Sequence, residues 1–165
     1  MKPALLVIDV QKEFFNYSET CSCSLKSAVS TINSAIVLFR KKNLPVIVIQ
    51  HKDVEGGLIP GNPGFDVSDS VDVDPQDLRI TKTYGNAFNR TGLAERLRES
   101  GVDTLIITGF CAGECVLSTY KGAEDYDFKP IILRQAIASY NPEHIKFVEE
   151  IADLVSLGAL KALLE

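Results

Sequence analysis

The strongest constraint in this sequence is a series of apolar runs that do not alternate. Ala4–Val10 reads Ala-Leu-Leu-Val-Ile-Asp-Val, Val46–Gln50 reads Val-Ile-Val-Ile-Gln, and Thr104–Gly109 reads Thr-Leu-Ile-Ile-Thr-Gly. A strand with one wet face alternates polar and apolar residues. An unbroken run of this length therefore belongs to a strand covered on both faces, as in a parallel sheet. Between the runs the period changes. Ala28, Ile32, Ala35, Ile36 and Phe39 recur at three- and four-residue spacing, which predicts a helix over Leu25–Lys42 with cations in its last turn. Asn43-Leu44-Pro45 breaks it.

The rest of the chain continues the alternation. Arg79–Thr83 reads as a short third strand. Thr91 is placed to cap a helix that reaches Ser100 and is stopped by Gly101. Beyond Gly109 the pattern predicts a helix from about Glu114 to Glu124, a strand over Pro130–Leu133, a helix over Pro142–Ile151 opened by Asn141-Pro142, and a last strand over Asp153–Ser156. Strands alternating with helices give right-handed βαβ units, so the fold class is α/β with a parallel sheet wrapped on both faces. At 165 residues, with no repeat and no shift of composition, residues 1–165 form one domain. Residues 52 to 78 interrupt the pattern with Gly56, Gly57, Gly61 and Gly64 followed by five aspartates between 66 and 77, a solvated excursion expected to act as a lid or a subunit contact.

Charge narrows the function classes. With 17 Lys plus Arg against 22 Asp plus Glu, the net charge is −5, which argues against a nucleic-acid groove or a basic membrane patch. The opening run is cut by Asp9 too early for a signal or spanning segment, so a soluble, cytoplasmic protein is expected. In that setting the four cysteines, 21, 23, 111 and 115, are expected to be reduced.

Ligands of open α/β sheets bind beyond the carboxyl ends of the strands. The first strand exits through Asp9, followed by Gln11 and Phe14, and the third through Lys82, followed by Tyr84, Asn86 and Phe88. The fourth exits through Gly109-Phe110-Cys111-Ala112-Gly113-Glu114-Cys115. An acid, a base and a thiol thus share one rim. Cys115 falls in the first turn of a helix, where free N–H groups, the helix dipole and Lys82 are expected to lower its pKa. Asp9 can take the thiol proton, and backbone N–H groups can hold an oxyanion, which together specify acyl transfer. Phe14, Tyr84 and Phe88 are candidate pocket walls.

Competing readings use the same residues. Cys21, Cys23, Cys111 and Cys115 supply four soft ligands, but without the two-residue spacing of common zinc knuckles. Cys111 and Cys115 could form a redox pair, although they too lack that spacing. The glycines from 56 to 64 lack the Gly-Lys-Ser/Thr ending of a phosphate loop. His51, after the second strand, reads first as a hydrogen-bonded strand-end histidine.

These motifs resemble the isochorismatase-like cysteine hydrolases. Leu-Leu-Val-Ile-Asp9-Val-Gln11-Lys-Glu-Phe14 is similar to their opening motif, Ile80-Thr-Lys82-Thr-Tyr-Gly-Asn-Ala-Phe88 to their lysine motif, and Ile107-Thr-Gly109-Phe-Cys-Ala-Gly-Glu-Cys115-Val116 to their nucleophile turn. His144 fits a histidine often seen in their late helix. The resemblance implies a single-domain Rossmann-like three-layer sandwich with about six parallel strands. It also implies an Asp9-Lys82-Cys115 triad and a cis peptide at Phe110–Cys111. The backbone N–H groups of Cys111 and Cys115 would form the oxyanion hole. The implied reaction attacks a small amide or carbamoyl compound and passes through a thioester. Gln11, Phe14, Tyr84 and Phe88 are the expected substrate contacts, and a homodimer or homotetramer the expected assembly.

Departures from the family pattern are informative. Zinc-binding nicotinamidases carry Asp-x-His, whereas here His51-Lys52-Asp53 inverts the order, so neither zinc nor another cofactor is expected. Isochorismatase itself lacks the cysteine, so Cys115 argues against that reaction. A non-catalytic binding relative of the fold and a thiol redox protein are the alternatives. The apolar end, Leu157 to Leu164, suits either a subunit contact or packing on its own sheet.

Overall fold

The computed structural model describes residues 1–165. Strands β1 (Pro3–Ile8), β2 (Val46–His51), β3 (Leu78–Lys82), β4 (Thr104–Phe110), β5 (Lys129–Ala138) and β6 (Leu154–Val155) form one sheet in the order β3-β2-β1-β4-β5-β6. Every pairing is parallel. All residues of β1 and β4 are buried, as expected of central strands covered on both faces. Helices α1 (Glu19–Lys41) and α5 (Leu157–Leu164) cover one face. Helices α2 (Leu93–Glu99), α3 (Leu117–Asp125) and α4 (Pro142–Ile151) cover the other. The α/β sandwich of six parallel strands is therefore the one anticipated.

Element ends differ from the sequence reading for local reasons. Helix α1 begins at Glu19 rather than Leu25, because Ser18 caps it by accepting from the Cys21 N–H and because Cys21 is buried like a small hydrophobe, one turn before Leu25. Its length and hydropathy would suit a membrane span, yet eight of its residues are buried in this domain, those of one face lying against the sheet. Strand β5 runs on to Ala138 through a register shift, with Gln135 in the left-handed region at φ 65. Helix α2 starts after Gly92, and Thr91 contributes a bond to the Leu93 N–H instead of the cap itself. The segment from Ala112 to Val116 is a π-helical turn that leads into α3.

The apolar C-terminal segment packs on its own chain: Leu160 is buried and Leu157 and Leu164 lie against the same cluster. The 52–78 excursion is partly tied down. Asp53 pairs with Leu58, Val67 with Gln11, and the Arg40 guanidinium with the Asp77 carboxylate.

Candidate active site

The sheet reverses its strand order between β1 and β4, and the crevice beyond their carboxyl ends is the natural place for a ligand. Asp9 leaves β1 there in the left-handed region (φ 51), a conformation that aspartate tolerates better than most residues. Cys115 sits across the crevice in the π-helical turn that follows β4. The two strands approach closely because Gly109, at φ 112, has no side chain: a Cβ there would collide with the backbone of Ile8. Lys82 reaches the crevice from the end of β3, two strands away, where its register partner is His51.

These residues converge on one atom. The Lys82 Nζ lies 2.9 Å from Asp9 Oδ2, 3.0 Å from His51 Nδ1, 3.1 Å from the Tyr84 carbonyl oxygen and 3.2 Å from Cys115 Sγ. Asp9 and Lys82 are each 1% exposed, so their pair is a buried one, held by hydrogen bonds as well as charge. Asp9 Oδ1, by contrast, is buried with no partner. It is the carboxylate oxygen free to accept a proton or an N–H from something placed in the crevice.

The electrostatics correct one expectation. Burial, then the Asp9 carboxylate, push the Cys115 thiol up to about 12, outweighing the pull of Lys82. Burial likewise raises Asp9, against the lowering effect of Lys82. One ammonium serves two acids in a dry site, so only one of them is stably ionised at a time. The resting sulfur thus holds its proton. His51 is lowered by burial and by Lys82, and an ammonium has only N–H groups to offer, so Lys82 Nζ donates to His51 Nδ1.

A cavity of about 310 Å³ opens over this cluster, lined by Asp9, His51, Phe14, Phe110, Cys111 and Cys115, with Glu13, Tyr17, Asp53, Gly56, Leu58 and Glu114. Of the proposed pocket walls, Phe14 is there, packed on Phe110 at 4.9 Å between ring centroids. Three other expectations are corrected. Phe88 is a core residue stacked on Tyr126 and Phe128. Tyr84 turns its ring outward under Arg90 and offers only its carbonyl to Lys82. Gln11 is fully buried beneath the cavity, its amide tying the His51 backbone and the Phe65 carbonyl. It positions the end of β2 and does not line the cavity. Of the walls, sequence reasoning missed Glu13, Tyr17, Phe110 and Glu114, next to the motifs it named, and Asp53, Gly56 and Leu58 on the excursion, where Asp53 and Leu58 bridge to each other and Val67 bridges to Gln11.

The Phe110–Cys111 peptide is cis. The Cys111 backbone N–H has no acceptor within the protein. Its thiol is buried against Ser139 Oγ, in the core layer beneath α1, whereas Cys115 packs against the opposite layer. His144 packs on Gly113, where a Cβ would come within 3.1 Å of its ring.

Asp9, His51 and Cys115 have the donor atoms of a metal site within 4.8 Å of one another. The Lys82 ammonium already stands within hydrogen-bond distance of all three, so a divalent ion at their centre would meet a positive charge. These residues do not fit a metal there.

The family model for the isochorismatase domain matches residues 3–155. The chain belongs to the isochorismatase family. The isochorismatase family protein YrdC of Bacillus subtilis is 32% identical over 141 residues, covering 84% of this chain and 75% of YrdC. An isochorismatase-like hydrolase from Alkaliphilus metalliredigens superposes with a TM-score of 0.90 over 100% of both chains at 21% identity, a likeness of fold. The nicotinamidase PncA of Bacillus subtilis superposes with a TM-score of 0.78 at 25% identity, covering 91% of this chain and 93% of PncA. Within the family the chain is an enzyme of the hydrolase class.

Proposed function

We propose that this protein is a cysteine hydrolase that cleaves the C–N bond of a small amide or carbamoyl compound through a thioester, using neither metal nor cofactor. The convergence of Asp9, Cys115 and His51 on the Lys82 ammonium at the cavity floor carries this reading. Asp9 takes the Cys115 proton as the sulfur attacks the carbonyl carbon, so the charge passes from the carboxylate through the sulfur, both beside the Lys82 ammonium, to the carbonyl oxygen. The resulting oxyanion accepts from the backbone N–H groups of Cys111 and Cys115. Asp9 then returns the proton to the nitrogen, the C–N bond breaks, and ammonia or an amine leaves. Water, deprotonated by Asp9, attacks the thioester and releases a carboxylic acid and the restored thiol. The sum is amide plus water giving acid plus amine.

The elevated thiol pKa agrees with this order of events. A thiol that stays protonated at rest resists stray oxidation and is activated only when a carbonyl and Asp9 are both in place. Each of the two sulfurs has a partner other than the second cysteine, Ser139 Oγ for Cys111 and the Lys82 ammonium for Cys115, which favours hydrolysis over a redox pair.

Ammonia release from a panel of small amides tests the reading. Asp9→Asn is expected to lower kcat by about 10²- to 10⁴-fold, Cys115→Ser to abolish turnover, and Cys111→Ser to be tolerated, since only its backbone is used. Turnover that survives Cys115→Ser, or that Cys111→Ser abolishes along with a reversible two-electron oxidation, would replace the hydrolase with another chemistry.

A further inference from the structure

The carboxylates around the cavity are distributed in a way the proposed reaction does not require. Glu13, Asp53 and Glu114 line it, and none of the three is in an ion pair. No lysine or arginine lines the cavity, and the one cation beneath it, Lys82, is matched by Asp9. All three carboxylates are exposed at the mouth, and charges of one sign around a concave site concentrate ions of the other sign, more weakly as salt rises.

Two further observations point to what enters. A second cavity of about 500 Å³ shares Phe14, Tyr17, Phe110 and Glu114 with the first and adds Tyr140, whose hydroxyl donates to Glu114 Oε1 at 3.0 Å. Aromatic faces beside a carboxylate form an environment that favours an ammonium group. At the floor, the buried, unpartnered Asp9 Oδ1 is left to receive an N–H.

We infer that this cavity selects cations, and that the substrate is an amide carrying an ammonium or amidinium group, its amide nitrogen over Asp9 Oδ1 and its charge among Glu13, Asp53, Glu114 and the rings of Tyr17 and Tyr140. The amide part of this inference rests on the proposed hydrolase. Hydrolysis adds a carboxylate to the acyl fragment inside an acidic mouth, so the same field that draws the substrate in repels the new acid.

Two measurements test this separately from the hydrolase reading. The first compares kcat/KM for primary amides of one skeleton bearing an ammonium, a hydroxyl or a carboxylate. The ammonium amide is expected to exceed the hydroxyl one by about tenfold, the size of two or three exposed charge pairs. That ratio is expected to collapse between about 0.01 M and about 1 M ionic strength, where the screening length falls from about 30 Å to about 3 Å. It is also expected to approach one in E13Q/D53N/E114Q.

The second measurement labels Cys115 with methanethiosulfonates bearing ammonium or sulfonate tails, each passing its thioalkyl group to the sulfur and releasing methanesulfinate. Rates are taken relative to those with a free thiol, and the cationic reagent is expected to be favoured. Cationic preference in labelling with no amide turned over supports the cation site and overturns the hydrolase. Equal labelling by both reagents, or hydroxyl or carboxylate amides turned over as well as the ammonium one, overturns the cation site and leaves the hydrolase standing.

Discussion

At the residue scale, the site is a problem of one positive charge shared by two acids. Lys82 stands between Asp9 and Cys115, and both acids are raised by burial. From the sequence, the strand exits bring the three residues to one rim, and they do meet. The sign of the thiol shift was not legible. The helix terminus and the lysine were visible in the sequence, but the depth of burial and the orientation of the Asp9 carboxylate are products of packing. A directional prediction follows from the causes of the shift. The Cys115 alkylation rate is expected to rise only well above the ordinary thiol range. Its midpoint should move down in Asp9→Asn, which removes the repelling carboxylate, and up in Lys82→Met, which removes the ammonium. Iodoacetamide labelling across pH, read by peptide mass, checks both shifts. Midpoints that do not respond to either variant would mean that the three groups are not electrostatically coupled.

At the element scale, the crevice depends on how closely β1 and β4 run past each other. Gly109 is the position that permits this, because its φ of 112 and its contact with the Ile8 backbone exclude any side chain. Gly109→Ala is expected to destabilise the domain by more than about 1 kcal/mol, beyond the cost of an ordinary surface substitution. Urea unfolding measures that loss, and an unchanged midpoint would show that the strands can separate freely. Strand and helix types were legible from the change of period along the chain. Ends were less so where a non-apolar residue acted as core: Cys21 extends α1, and the bulge at Gln135 lets β5 continue past a polar pair. Phe88 shows the converse difficulty. An aromatic beside a motif lysine reads equally as pocket wall or core, and only the stacked rings of Tyr126 and Phe128 decide it.

At the scale of the whole molecule, the sheet order and the cavity roof were beyond local pattern. The adjacency of β1 and β4 joins residues about a hundred positions apart, and the excursion reaches the crevice through bridges between isolated residues. The fold also carries a pH signature. His51 has a lowered pKa in the folded state, so below about 6.5 the unfolded chain takes up a proton that the native one refuses. Stability above that pH is unaffected by this group and is lost as pH falls through it towards the lowered folded value. A thermal melt at pH 7 and pH 5 is expected to show a drop in Tm that His51→Gln reduces; an equal drop in the variant would assign the acid sensitivity elsewhere.

The central claim is that Cys115 becomes acylated during turnover. The direct measurement is an acid quench during steady-state hydrolysis of an amide that releases ammonia, followed by intact and peptide mass analysis. The account predicts an added acyl mass on the peptide containing Cys115, removed by hydroxylamine and absent in Cys115→Ala. Steady ammonia release without any acyl adduct on that peptide, and with the same rate in Cys115→Ala, would contradict it.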